Sequence, residues 1–239
     1  MNSAALAIGQ VVIHNRQNPD CIQRNELFCP GWAVDNIDRY VDPTVQHVIL
    51  VLASVGLGFA IAFGLSLMAH RFHWLGPPFL GATGVLYTIP SIAFFFLLLP
   101  ITGRGRMTAI IALTAFTIQI IYRNILTGLN NVPADTKDAG RGMGLTEPQL
   151  LWRVELPLAL PEIIAGLRIA TVSTVAIATL AVFCNGGGLG TEIYVAGNLT
   201  FKTGIVLAGS IAILMAIGFD LLLAAFQRYA TPWRRVASQ

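Results

Sequence analysis

Residues 43–70 read PTVQHVILVLASVGLGFAIAFGLSLMAH and contain no Asp, Glu, Lys or Arg. About 20 consecutive apolar residues are enough for a helix to cross the hydrocarbon core of a bilayer. Residues 45–68 are therefore predicted to form a transmembrane helix. The many Gly, Ala and Ser residues of this stretch favour close contact with neighbouring helices in lipid. This one segment already places the chain among integral membrane proteins.

Similar apolar stretches follow along the chain. They predict further spans at 80–99, 107–126, 163–184 and 203–225. Pro90 lies within the second of these spans, and a proline inside a helix removes one backbone hydrogen bond. We expect a kink or a local break there. The sequence thus predicts an all-α, polytopic membrane protein with about five transmembrane helices.

The composition agrees with a membrane protein. The chain is 55% hydrophobic and 11% charged, whereas soluble domains have roughly 25% charged residues. Its net charge of +3 could suggest a nucleic-acid binder, but the Lys and Arg residues are scattered between apolar stretches, as in membrane loops. A soluble fold and a nucleic-acid partner are both rejected.

No catalytic or metal-binding constellation is expected. The chain lacks G-x-x-x-x-G-K-[ST], the loop that binds nucleotide phosphates. The four histidines lie near span ends or in the tails, where a simple polar role is expected: His14, His47, His70 and His73. Their spacing matches no metal site. The chain is predicted to be no enzyme, with no metal and no cofactor of its own.

The cysteines leave two alternatives open. Cys21 and Cys29 lie in the polar N-terminal segment, and a disulfide between them is expected only if that segment faces an oxidising compartment. Cys184 is expected to be a small buried hydrophobe. Residues 4–13 are apolar but too short for a span, and we interpret them as an interfacial or packed helix.

The polar segments divide the chain. Residues 1–44 form a polar extension, 45–226 the membrane domain, and 227–239 a basic tail, with one long polar interruption at 127–162. If the N-terminus lies outside, the larger share of the fifteen Lys and Arg residues falls on the inner side. This orientation places the 127–162 segment and the C-terminal tail in the cytoplasm.

The polar interruption contains a spaced pattern. Its positions are Asp138-Ala139-Gly140, then Gly144, then Val154, Leu156 and Pro157. This pattern resembles the acidic-Ala-Ala, Gly, Ile-x-Leu-Pro signature of binding-protein-dependent ABC importer permeases. Asp138, Gly140 and Val154 depart from its commonest form.

The residue types suit a short protruding helix. Residues 134–143 can form it, with Ala139 and Gly140 small enough to enter a groove on a partner. Gly144 can end the helix in a left-handed conformation. Pro157 and Pro161 are expected to bar a continuous regular helix ahead of the fourth span.

The resemblance implies a fold, a mechanism and partners. The fold is that of a type I ABC importer permease, in which 127–162 forms a cytoplasmic coupling segment. The implied partners are a cytoplasmic ABC ATPase that binds ATP and Mg²⁺, a second permease that is identical or homologous, and an extracytoplasmic substrate-binding protein. The implied location is a bacterial or archaeal cell membrane, and the implied mechanism is alternating access.

Four strings narrow the resemblance to osmoprotectant permeases, which import glycine betaine, choline, carnitine or similar quaternary amines. They are DAGRGMGLT at 138–146, VELPLALP at 154–161, YTIPS at 87–91 and GGLG at 187–190. Two alternatives remain: the same machine with another cargo, such as methionine or a small anion, and a non-transporting membrane scaffold.

Some polar residues within the spans are candidates for function. Arg168 and Asp220 have similar expected depths, so they are predicted to form an intramembrane ion pair; the alternative is that Arg168 reaches to the interface alone. Tyr87, Pro90 and Ser91, at the expected break, are candidates for the translocation path.

Overall fold

The computed structural model describes residues 19–235, and within that range the chain forms helices and no strand. The α-helices are α1 (Pro19–Gln23), α2 (Pro30–Asp35), α3 (Val41–Arg71), α4 (Gly76–Thr88), α5 (Ser91–Thr102), α6 (Arg106–Asn130), α7 (Ala134–Gly142), α8 (Glu147–Leu150), α9 (Leu156–Ala178), α10 (Leu189–Asn198) and α11 (Lys202–Ala230). A π-helical turn, Leu151–Glu155, joins α8 to α9. Short 3₁₀ turns lie at Ile37–Tyr40, His73–Leu75, Thr179–Cys184 and Pro232–Arg235. The predicted helix at 4–13 lies outside the described residues.

The predicted all-α membrane fold is confirmed. Within residues 19–235, four helical stretches are long and apolar enough to cross a bilayer: Ile37–Arg71, Arg106–Asn130, Glu147–Cys184 and Lys202–Ala230. The second predicted span is a pair of helices, α4 and α5, whose axes are bent by 97° at the break before Ser91. Counted as one span, this pair brings the number to five. The break expected at Pro90 is therefore present, and it is far sharper than a kink.

The fourth span corrects one expectation. Pro157 and Pro161 were expected to bar a continuous regular helix, but helix runs without interruption from Glu147 to Cys184. The turn before Pro157 widens instead: the N–H of Leu156 donates to the carbonyl of Leu151, five residues back. Such π-turns absorb irregular backbone within a helix and are frequent at functional sites. Residue 163, where the span was expected to begin, lies well inside α9.

Small residues bring α3, α6 and α9 into close contact. A Cβ on Gly58 of α3 would overlap Thr117 of α6, and one on Gly128 of α6 would lie 3.0 Å from the Glu162 Cβ. Gly166 of α9 likewise lies directly against Asn124. Interfaces built from small residues are typical of membrane helices, where backbones approach closely enough for van der Waals contact to hold them. These three helices form the packed centre of the bundle.

The polar N-terminal segment is folded and contacts the far end of the chain. Trp32 of α2 is buried against Phe201, with ring centroids 4.8 Å apart in an edge-on arrangement. The N–H of Cys29 donates to Thr203 Oγ1 at 3.2 Å. The first membrane helix begins at Val41, directly after this segment, so residues 41–44 belong to the helix and not to the extension.

Candidate functional site

The candidate coupling segment is a helix followed by a tight reversal. Helix α7 follows Pro133 and has Asp135 in its first turn and Arg141 in its last, charges that suit the two ends of the helix dipole. Gly144 then adopts φ = +83°, a conformation that favours glycine. Its N–H donates to the Arg141 carbonyl at 2.9 Å. The expected left-handed end of the helix is therefore found at Gly144.

Two of the three motif residues on α7 face outward. Asp138 and Ala139 are exposed, whereas Gly140 is buried. A Cβ on Gly140 would lie 2.6 Å from Leu150 Cδ1 of α8. The expectation that Gly140 enters a groove on a partner is therefore wrong, because its missing side chain makes room for Leu150. The outer surface of the segment is formed by Asp138, Ala139 and their neighbours.

An ion-pair chain holds the reversal together. Arg141 donates from Nη1 to Asp138 Oδ1 at 3.1 Å and from Nε to Glu147 Oε1 at 2.9 Å. These hydrogen bonds, first that to Glu147, raise the pKa of Arg141. All three side chains are exposed to solvent, so each pair contributes little stability. Their effect is to set the direction in which α7 and α8 leave the turn.

A buried carboxylate lies behind the coupling segment. Glu155, in the π-turn, has a side chain that is 4% exposed. Its Oε2 lies 2.8 Å from His70 Nε2 and 3.3 Å from Lys137 Nζ. The distances are those of ion pairs, while Oε2 lacks well-directed hydrogen bonds. One carboxylate thereby contacts the end of α3, helix α7 and the start of α9.

The remaining motif residues line the same inner region. Leu156 is buried, and Val154 and Pro157 are partly buried, on the turn that carries Glu155. The Glu155 contacts were missed from the sequence because position 155 is the unspecified one of the motif. The available signal was a lone carboxylate next to the apolar run LPLALP, where an unpaired charge would be costly.

Arg168 and Asp220 lie together, between α9 and α11. The guanidinium donates from Nε to Asp220 Oδ1 and from Nη2 to Oδ2, both at 2.9 Å. This is the two-point geometry that makes arginine–carboxylate pairs strong. Gln227 extends the network, because its oxygen accepts from Arg168 Nη1 and its Nε2 donates to the Pro161 carbonyl. The alternative of a lone Arg168 reaching to the interface does not describe this geometry.

The break between α4 and α5 presents the candidate path residues at the surface of the chain. Tyr87 and Pro90 are exposed, and Ser91 is partly buried. The Tyr87 ring lies edge-on to Phe116 of α6, with centroids 6.2 Å apart. Thr83 donates a hydrogen bond to Gln119 Oε1 nearby. The geometry leaves their role in transport a prediction.

The end of the bundle opposite Glu155 is also tied by polar contacts. Cys21 and Cys29 are joined as a disulfide, with Cα atoms 6.0 Å apart, and Cys184 is free and buried.

His47 was expected at a polar edge, but it is fully buried. Its Nε2 lies 3.0 Å from the Val175 carbonyl, and its Nδ1 accepts from the N–H of Leu189 at 3.3 Å. His47 thus connects α3, α9 and α10. His14 lies outside the described residues, and among the described side chains of residues 21–233 no three His, Cys, Asp or Glu residues are placed to share a metal ion.

Comparison with known proteins identifies the family. A family model described as binding-protein-dependent transport system inner membrane component matches residues 54–236. The chain is 34% identical over 190 residues to the choline transport system permease protein OpuBB of Bacillus subtilis (strain 168), covering 79% of this chain and 87% of that protein. It is 37% identical over 207 residues to the osmoprotectant import permease protein OsmW of Salmonella typhimurium strain LT2, covering 84% and 96%.

Solved structures support the fold. A chain of the MetNI methionine ABC transporter in an inward-facing conformation superposes with a TM-score of 0.73 at 20% sequence identity. The match covers 80% of this chain and 96% of that one. At this identity the likeness concerns the fold alone.

Removal of the Glu155 charge is expected to destabilise the protein. Glu155→Gln leaves Lys137 unpaired in a largely buried position, so the melting midpoint of the purified permease should fall by roughly 5–10 °C. Glu147→Gln, which breaks an exposed pair, should lower it by no more than about 2 °C. The double variant Glu155→Gln/Lys137→Gln should recover part of the loss. Equal shifts for Glu155→Gln and Glu147→Gln would contradict a buried ion-pair cluster.

The Arg168–Asp220 pair predicts a compensating exchange. Arg168→Gln and Asp220→Asn should each reduce the amount of monodisperse protein extracted from membranes, because each leaves one charge unpaired within a span. Exchange of both residues, Arg168→Asp with Asp220→Arg, should restore most of it. Additive losses in the exchanged variant, measured by size-exclusion chromatography, would show that the two residues act independently.

Proposed function

Because the chain belongs to the family of binding-protein-dependent transport system inner membrane components, we propose that it forms the translocation path for a quaternary-amine osmoprotectant such as glycine betaine, choline or carnitine. Membership of this family implies that the chain is the membrane-spanning permease of an ABC importer. The cargo rests on one observation: relatives 34–37% identical over about four fifths of the chain transport choline, carnitine or other osmoprotectants by name.

We infer the orientation of the chain in the membrane from the features of its two ends. We place α7 and the tail 227–239 in the cytoplasm and the segment before α3 outside. The distribution of Lys and Arg supports this arrangement. The Cys21–Cys29 disulfide supports it independently, because such bonds persist in oxidising compartments and are rare in the cytosol.

The exposed face of the coupling segment is the surface offered to a partner. A separate ATPase, which binds ATP and Mg²⁺, would receive Asp138 and Ala139 in a cleft, since both are exposed on α7. A second permease, identical or homologous, would complete the path, and an extracytoplasmic binding protein would deliver the solute. The chain itself supplies the translocation path and the coupling helix α7, which acts as a lever on the spans, and the ATPase supplies the free energy.

Glu155 gives this lever a physical connection to the spans. Movement of α7 displaces Lys137, which lies 3.3 Å from Glu155. Glu155 directly precedes α9 and also contacts His70 at the end of α3. A push on the coupling segment therefore acts on two spans at once, and alternating access needs such a joint displacement.

Two other functions were open from the sequence. Import of methionine has a structural neighbour, but at 20% identity that neighbour speaks to the fold alone. A non-transporting scaffold would have no use for an exposed helix that ends in a tight turn at Gly144. Sequence relatives favour the osmoprotectant cargo over both.

The decisive test is transport. Cells without osmoprotectant importers, expressing this permease with its ATPase, binding protein and any second permease, should accumulate radiolabelled glycine betaine, choline or carnitine. Cells that lack only this permease should accumulate none. Uptake of methionine or an inorganic anion instead would replace the cargo, and no uptake of any solute would favour the scaffold.

A matched pair of substitutions tests the coupling segment. Gly144→Asp should abolish uptake while the protein still inserts in the membrane, because the turn at φ = +83° would be strained and the face of α7 redirected. Gly142→Ala adds an uncharged side chain two residues earlier, where it meets no atom within 4 Å, and should retain transport. Normal uptake by Gly144→Asp, with insertion checked by membrane fractionation, would contradict the assignment.

A further inference from the structure

A polar cavity of about 540 Å³ opens at the end of the bundle opposite Glu155. Its walls are the first turns of α3, α6 and α10 and the loop 185–188. The position follows from α3 itself: Asp42, at one end of this helix, lines the cavity, whereas His70, near the other end, contacts Glu155. In the proposed orientation the cavity faces the side from which solute arrives. Its volume lies within the range of roughly 300–1,000 Å³ that is usual for ligand pockets.

One wall of the cavity is held in place by glycine backbone. Gly187 and Gly188 have φ values of +83° and +86°, and a Cβ on Gly187 would overlap Gln46 Oε1. The same oxygen accepts the N–H of Gly188 at 3.2 Å. The loop therefore lies directly on the first turns of α3, and its shape is set before any ligand arrives.

The two carboxylates of the cavity are integrated into the fold. Asp42 lies in the first turn of α3 and accepts from Gln46 Nε2 at 2.7 Å. Glu192 lies in the first turn of α10, 2.8 Å from Arg39 Nη2. Negative charge is favourable at both of these positions, so the structure accounts for both acids.

Arg106 has no comparable structural explanation. It is the first residue of α6, whose first turn contains no acid, and a cation is unfavourable at that end of a helix. Its side chain is exposed and lines the cavity. Among the side chains that the structure describes, those of residues 21–233, none forms an ion pair or hydrogen bond with its guanidinium. The cavity thus presents one uncommitted cation beside two carboxylates.

Resting on the proposed function, we propose that this cavity is a transit site for solutes that carry both a quaternary ammonium group and a carboxylate, with Arg106 binding the carboxylate. Asp42, whose carboxylate is bonded to the neutral amide of Gln46, provides the negative charge that suits the ammonium end, whereas the charge of Glu192 is balanced by Arg39. A simple anion would leave Asp42 without a cationic partner, and a solute with only a cationic group would meet Arg106 without compensation. Arg106 therefore favours betaine- and carnitine-like zwitterions over choline.

The test compares solutes within one assembled transporter. Maximal uptake rates of glycine betaine, carnitine and choline are measured with the complete importer, at saturating solute and with an unchanged binding protein. Loss of a charge-assisted hydrogen bond in Arg106→Gln should lower the zwitterion rates about tenfold relative to the choline rate. Arg106→Lys keeps the charge and should retain part of the preference.

Arg104→Gln is the matched control. Arg104 is an exposed arginine two residues away that does not line the cavity, and its replacement should leave the ratio of rates unchanged. Equal reductions of all three rates in Arg106→Gln, or the same ratio in the Arg104 and Arg106 variants, would overturn the inference. So would a wild-type importer that takes up choline and neither zwitterion, although the proposed function would survive that result. A wild type that transports none of the three solutes would refute the proposed function itself.

Discussion

Hydrocarbon offers no hydrogen-bond partner to a peptide group, so every backbone N–H and C=O within the bilayer must be satisfied by the chain itself. This constraint explains the helical structure of the described residues, and it gives special meaning to places where helical hydrogen bonding is irregular. One is the 97° break before Ser91, and another is the π-turn Leu151–Glu155. Irregular backbone at membrane depth survives where neighbouring groups compensate for it. The π-turn lies beside the buried Glu155 cluster, and the break lies beside Phe116 and Gln119 of α6.

Packing divides the bundle into a firm centre and a lightly held flank. Helices α3, α6 and α9 meet through glycines with almost no space between them, so they are suited to move as a unit. Helix α11 is different, because only 17% of its most apolar 18-residue stretch is buried against the rest of the chain. Its attachment to α9 includes the two-point Arg168–Asp220 contact. This two-point contact fixes how α11 is rotated and how far it is shifted along α9. Apolar contact with lipid would fix neither.

Much of this arrangement could be predicted from the sequence, for identifiable reasons. Charge-free runs of sufficient length indicate spans because the bilayer tolerates few alternatives, and Pro90 predicted its break because it lacks an N–H. The predictions failed where contacts with distant parts of the chain overrode a rule that considers only neighbouring residues. Pro157 and Pro161 were expected to bar a continuous regular helix; the helix is continuous, but a π-turn makes it irregular just before Pro157. Gly140 was expected to face a partner, yet it packs on Leu150, and the buried position of His47 depends on α9 and α10, more than a hundred residues away. Contacts at such separation leave no periodic trace in a single sequence.

The folded N-terminal segment has a consequence for how the protein is made. Its anchors are late in the chain: Asn25 donates to the carbonyl of Thr200, 175 residues away, and Cys29 donates to Thr203 across 174 residues. None of these bonds can form until the start of the last span has left the ribosome. Until then Trp32 lacks Phe201, the ring against which it is buried. Closure of this contact joins the segment before the first span to the start of the last span, so it can follow only after the chain between them has been synthesised.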